Sequence, residues 1–154
     1  MPGVYEETVV SFPRELVCEF FRRPGEVLAI SDPAVGARIV AAPDVLSEGD
    51  QITIELMAMG MTRTATNEVV AANFPEGFTE AQVDGPLKAY RHDHRFRIDD
   101  DRTVVTDEIE FEPPGGIAGL LLSAEAIAEQ LADSIAYRNR QLPAALAEFA
   151  KTAG

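Results

Sequence analysis

The chain has no tryptophan, one cysteine and only two histidines in 154 residues. A lone Cys18 cannot close an internal disulfide, so a reducing, cytoplasmic setting is expected. Cys18 lies in LVCEFF, inside a helical pattern, where a small buried apolar side chain is expected rather than a reactive thiol. Basic residues are also scarce. Thirteen Lys and Arg stand against 26 Asp and Glu, for a formal net charge of −13. That excess argues against a nucleic-acid backbone or an anionic membrane as main partner. Long apolar runs are missing: the longest, around Leu120 to Leu122, is far too short to cross a bilayer, so no integral membrane segment is expected. The N-terminus has no basic segment followed by an apolar one, so no signal peptide is expected. No repeat or low-complexity linker divides the chain. A single domain over 1–154 is expected, with 46% apolar and 25% charged residues, enough for a core.

What is present points to a sheet with two unlike faces. Between Tyr90 and Ile98 the chain reads YRHDHRFRI. Tyr90, His92, His94, Phe96 and Ile98 alternate with Arg91, Asp93, Arg95 and Arg97, which is the period of a β-strand. The charged set belongs in water. The other set is expected to be buried, carrying both histidines into a partly polar interior.

The remaining elements follow from breakers and spacing. Tyr5 to Phe12 reads as a strand. Pro13 opens a short helix through Arg22 at a first-turn position, and Pro24-Gly25 separates it from a second over Glu26 to Ile30. Strands are expected over Ala37 to Ala42, Gln51 to Met59, Thr62 to Asn73, Phe78 to Asp84, from Tyr90 through Ile98, and over Thr103 to Phe111. From Ile117 to Phe149, Leu121, Ile127 or Ala128, Leu131, Ile135, Leu142, Leu146 and Phe149 recur at mostly three to four residues. This is the spacing of one long amphipathic helix, kinked at Pro143. The order implies an α+β helix-grip fold. A curved antiparallel sheet of about seven strands, with two short helices after the first, wraps around the C-terminal helix and leaves space between.

The loop Asp99 to Arg102 sets a register. Ile98 then faces Thr103, Phe96 faces Val105, His94 faces Asp107 and His92 faces Ile109. Opposed residues share a face, so Asp107 points inward beside His94 as an expected dyad. Across Gly85-Pro86 the same counting brings Glu80 near His92 and Gln82 near Tyr90. Arg138 lies three residues after Ile135 and four before Leu142, on the apolar seam of the helix. A buried charge there needs a carboxylate partner, Asp107 or Glu80. The expected site is therefore Glu80, Gln82, Tyr90, His92, His94, Asp107 and Arg138, with Phe96, Leu131 and Ile135 beside them. It reads as a structural network fixing helix to sheet, as polar lining of a ligand pocket, or as acid–base machinery built on His92, His94 and Asp107. Two histidines at i and i+2 are compatible with a metal, but no tighter ligand motif supports one. Neither a metal nor a cofactor is expected. Met57, Met59 and Met61 alternate as ordinary strand residues or as adaptable pocket lining.

The second half of the chain also resembles a known pattern. Phe78, Glu80, Gln82, Gly85, Pro86, Leu87, Tyr90, His92, His94 and Phe96, then Thr103, Asp107, Pro114, Gly116, Tyr137 and Arg138, stand at the spacing of a bacterial branch of the START and birch-pollen-allergen superfamily. That superfamily is also called SRPBCC or polyketide cyclase/dehydrase-like. The pattern has Asp at the position of Glu80, Phe at Leu87 and Trp at Tyr90, departures that reshape the cavity mouth. The resemblance implies a hydrophobic-ligand cavity and no defined reaction, because members include carriers and cyclases. The first expected function is binding of a small hydrophobic molecule, a lipid, quinone or aromatic polyketide-like compound, oriented by the polar cluster. The second is a cyclase or dehydratase with His92 or His94 as general base and Tyr90 or Arg138 stabilising an enolate. The third is a regulatory or assembly module acting through its surface.

Overall fold

Strand β1 (Gly3–Val10) leads into helices α1 (Arg14–Phe21) and α2 (Pro24–Ala29). Strands β2 (Arg38–Ala41), β3 (Gln51–Ala58), β4 (Met61–Asn73), β5 (Gly77–Asp84), β6 (Ala89–Asp99) and β7 (Arg102–Glu112) follow, then α3 (Gly116–Leu121) and α4 (Ala124–Ala153). The computed structural model describes the backbone of residues 1–58 and 60–153, and their side chains except at 58, 118, 120, 121 and 153. Met59, expected to end a strand, lies outside the described residues, as does the side chain of Leu121.

The seven strands form one antiparallel sheet in the order β1-β7-β6-β5-β4-β3-β2. The register of β6 on β7 is the one counted from the hairpin: Ile98 faces Thr103, Phe96 faces Val105, His94 faces Asp107 and His92 faces Ile109. On the other side, Phe78 faces His94 and Glu80 faces His92. Gly77 lets β5 come close, since a Cβ there would collide with the His94 carbonyl oxygen.

Three sequence expectations need correction. The single C-terminal helix is two helices. Leu122 is extended (φ −135°, ψ 107°), and Ser123 caps a new start, its Oγ accepting the Ala126 N–H at 3.1 Å. A capping serine competes with continuation of the helix before it. Helix α4 then runs 30 residues, through Pro143. Pro13 occupies the N-cap of α1 in extended geometry (φ −63°, ψ 146°), not its first turn. Ile98, expected to be buried, is 54% exposed. It forms the last pair but one before the hairpin turn, where few residues remain to cover it.

The interior divides in two. One cluster gathers Val17, Phe20, Phe21, Val69, Phe78, Phe96, Val105, Leu142, Leu146 and Phe149. It is closed by α1 and the C-terminal half of α4, with Phe20 and Phe149 meeting edge to face at 5.6 Å. The other gathers Val4, Ile109, Phe111, Ile127 and Ile135, with Leu87, Tyr90, Ala128 and Leu131 packed on it. Here the N-terminal half of α4 provides the cover.

Candidate functional site

Between the two clusters sit the polar residues of the concave face. His92 Nε2–H donates to Asp107 Oδ1 at 2.7 Å. His94 Nε2 meets Glu80 Oε2 at 2.7 Å. The backbone pairs run the other way, His94 opposite Asp107 and His92 opposite Glu80. Each ring has therefore crossed to the carboxylate that stands opposite the other histidine. This corrects the expected His94–Asp107 dyad, where His94 Nδ1 stays 3.7 Å from Asp107 Oδ1. The physical reason is reach. Diagonal neighbours across antiparallel strands lie within range of aromatic side chains, and crossing lets the two imidazoles stack at 3.8 Å with planes 24° apart. Phe78 extends the stack, 4.4 Å from His94.

Asp107 is fully buried. Besides His92 it accepts Arg138 Nη1 at 3.0 Å and Arg138 Nη2, a bidentate pair linking α4 to β7. The guanidinium lies 4.8 Å from the Phe21 ring, and Nη2 also donates to Asn139 Oδ1 at 2.8 Å. Burial pushes the Asp107 carboxyl up, but the His92 hydrogen bond and the charge and hydrogen bonds of Arg138 outweigh it and hold it well below the usual carboxylate range. Burial likewise pushes Glu80 up, and the hydrogen bond and charge of His94 more than reverse it. His92 is lowered, by burial first and by the adjacent His94 second, against the pull of Asp107. Burial raises the Tyr90 hydroxyl, with Glu80 and Asp107 adding to it. These directions define one hydrogen-bond polarity. Asp107 is ionised, His92 is neutral with its proton on Nε2, and the Tyr90 hydroxyl, 3.3 Å from His92 Nδ1, donates to that nitrogen.

Beyond the polar wall the concave face is less fully covered. Val69 faces Glu80 and Asn67 faces Gln82 on the concave side. Further along the same face, Ala65 opposes Ile54 and Arg63 opposes Leu56. Ile54, Leu56, Glu80, Gln82 and Tyr90 are all only half-buried, although they point into the fold. Gln82 is braced by its Nε2 donating to the Leu87 carbonyl at 2.7 Å, and Gly85 leaves room for its amide, which a Cβ there would strike.

Of the residues marked in the sequence, Glu80, Tyr90, His92, His94, Asp107 and Arg138 come together, and Gln82 lies on the same face. Leu131 and Ile135 join the cluster that contains Tyr90. Phe96 does not line the half-open face; it packs in the closed core, 5.2 Å from Phe21. Sequence reasoning missed three parts. Phe78, opposite His94, was legible from the register. Asn139 and Phe21, which hold the Arg138 guanidinium, carried no signal.

One donor atom each of Glu80, His92 and His94 lies within 4.8 Å of the others, a spacing a metal ion could span. The rings stack nearly parallel, so their in-plane lone pairs run side by side and do not converge on one point. Both Nε2 atoms are also engaged by carboxylates. The arrangement is better suited to hydrogen-bond relay than to ligation.

No family model and no curated protein matches the sequence. Solved structures match along nearly the whole chain. TTHA0849 from Thermus thermophilus aligns with a TM-score of 0.75 at 16% identity, covering 96% of this chain and 98% of that one. Major latex-like protein 151 from Panax ginseng aligns at 0.66 with 17% identity, over 92% and 95%. Ara h 8.0201 aligns at 0.64 with 14% identity, over 97% of both chains. Among the described residues no helix is long and apolar enough to cross a membrane. At these identities the likeness concerns architecture: the chain shares with these proteins a helix-grip fold, a curved antiparallel sheet around a long C-terminal helix.

Proposed function

We propose that the protein binds one small hydrophobic molecule between the concave face of the sheet and the N-terminal half of α4. One observation carries the reading. Ile54 and Leu56 point inward on β3, remain partly exposed, and join neither apolar cluster among the described residues. Inward apolar surface left uncovered beside a few fixed polar groups is the usual make-up of a ligand site. The fold supports the same reading, being one associated with ligand binding. Native mass spectrometry and a neutral fluorescent probe such as Nile red test it. Uptake in a one-to-one ratio, weakened by Leu131→Trp or Ala128→Trp, is expected. Failure of apolar probes and of lipid, quinone and polycyclic aromatic panels to bind the folded chain would end the proposal.

A second reading rests on the Tyr90–His92–Asp107 chain. A neutral imidazole oriented by a buried carboxylate is suited to proton abstraction, as a cyclase or dehydratase needs. Arg138 is committed to Asp107 and Asn139, so a substrate would have to part the Tyr90 hydroxyl from His92 Nδ1, freeing the nitrogen as base and the hydroxyl to donate to the enolate. Deuterium exchange into a bound enolisable ketone, lost in His92→Gln, is the expected signature. Exchange no faster than in buffer sinks this reading and leaves binding intact.

A further inference from the structure

We infer that the polar end of the bound molecule is a hydrogen-bond donor, an alcohol or phenol, and not a carboxylate; the inference rests on the ligand-binding reading above. All but one of the ring, guanidinium and amide nitrogens of the inner cluster are committed inside the protein; the exception is His94 Nδ1, buried and without a hydrogen-bond partner. The Arg138 guanidinium goes to Asp107 and Asn139. The Nε2 atoms of His92 and His94 go to Asp107 and Glu80, the Tyr90 hydroxyl to His92 Nδ1, and Gln82 Nε2 to the Leu87 carbonyl. Besides His94 Nδ1, the atoms left without a partner are acceptors. Glu80 Oε1 and Gln82 Oε1 have no partner among the described residues, and the Tyr90 oxygen keeps its lone pairs.

Charge favours the same class. Glu80 and Asp107 are both held ionised, and Arg138 pairs with only one of them. A ligand carboxylate would add a further negative charge beside Glu80, where the Arg138 guanidinium and the Gln82 amide are already engaged and cannot offset its desolvation. A hydroxyl loses little on entering and gains a hydrogen bond to a charged or amide oxygen. Arg63 is the cation on this face nearest the open end of β4. It lies opposite Leu56, beyond the last β4–β5 pair, Thr66 with Asp84, and two strands from Tyr90, so it does not serve a group docked at the polar wall.

The test compares three ligands of one shape on the intact chain at pH 7 by titration calorimetry: 2-naphthol, 2-methoxynaphthalene and 2-naphthoate. Naphthol is expected to bind about tenfold more tightly than its ether, the equivalent of one hydrogen bond of about 1.4 kcal/mol, with naphthoate weakest. In Tyr90→Phe and Glu80→Gln the naphthol-to-ether ratio should shrink. Because each ratio is taken within one protein, a partly unfolded variant lowers both affinities and leaves the ratio readable. Ether equal to naphthol, or naphthoate equal to or tighter than either, overturns the donor assignment while the binding site stands. If Nile red and all three naphthalenes fail to bind, the binding reading falls and this inference falls with it.

Discussion

At one end of the interior Phe20, Phe96, Leu142 and Leu146 are sealed from water; at the other, Ile54, Leu56, Gln82 and Tyr90 point inward and stay partly exposed. Both ends are built from the same alternating strands. The difference lies in what covers them. Helix α1 and the C-terminal half of α4 close the first, while the N-terminal half of α4, with Leu87 and Leu122, packs on the second among the described residues. Period-two patterning decides which way a side chain points, and the covering layer decides whether it is dry. The histidine–carboxylate pairs occupy the seam between the two regimes. They are buried enough to need partners, yet the inner face beside them is only partly covered.

The contrast can be broken most directly at the seam. Arg138→Met keeps an apolar stem and strips Asp107, which is fully buried, of its bidentate partner. The expected loss is about 3–5 kcal/mol in urea unfolding, the usual cost of orphaning a buried charge; a loss under about 1 kcal/mol would mean that water reaches Asp107 and the seam belongs to the open end. Within the closed end, Leu146→Ala should cost about 2–5 kcal/mol. Leu56→Ala, at the open end, should cost less, under about 2 kcal/mol, since its side chain is only partly removed from water. Similar losses at both positions would erase the distinction.

How much of this was legible beforehand divides along the same line. The alternation from Tyr90 to Ile98 and the short hairpin were enough to place His92, His94, Asp107 and Glu80 on one face in the correct register, because parity follows from the pleat. The place of Arg138 on the apolar seam announced a buried pair. The crossing of the two imidazoles was not legible: register positions Cα atoms, while the lean of each ring depends on stacking and on which oxygen lies within reach. The break at Leu122 was hidden because apolar spacing continues across it, and only the capping Ser123 marks it. Ile98 followed the pattern and escaped burial, because coverage is a tertiary property.

A smaller effect sharpens the seam itself. In a double-mutant cycle, His92→Gln with Asp107→Asn should show a coupling of about 0.5–3 kcal/mol, whereas His94→Gln with Asp107→Asn should be close to additive. The reverse outcome would restore the directly opposed dyad. Acidification reads the same groups. His92 is held below its ordinary 6.5, so below that pH the unfolded chain binds a proton the folded one refuses, and stability falls as pH falls. Glu80 and Asp107, also lowered, extend the loss through the carboxylate range. Urea midpoints of the wild type should therefore drop between about pH 7 and pH 5, and His92→Gln should flatten that segment. An equally steep drop in the variant would place its origin elsewhere.

The smallest expected effect tests the open end alone. Tyr90→Phe removes the hydroxyl that sits 3.3 Å from His92 Nδ1. In a closed core this would strand a ring nitrogen without a partner, at a cost of roughly 1–3 kcal/mol. Tyr90 is half-buried and borders the uncovered face, so a water molecule should take the place of the lost oxygen and return most of the hydrogen bond. The expected loss is under about 1 kcal/mol in urea unfolding, with a fluorescent apolar probe still taken up. A loss above about 2 kcal/mol would show that the space beside Tyr90 is dry, that the second cluster closes as tightly as the first, and that the half-exposure of its inner face does not mark a place for a ligand.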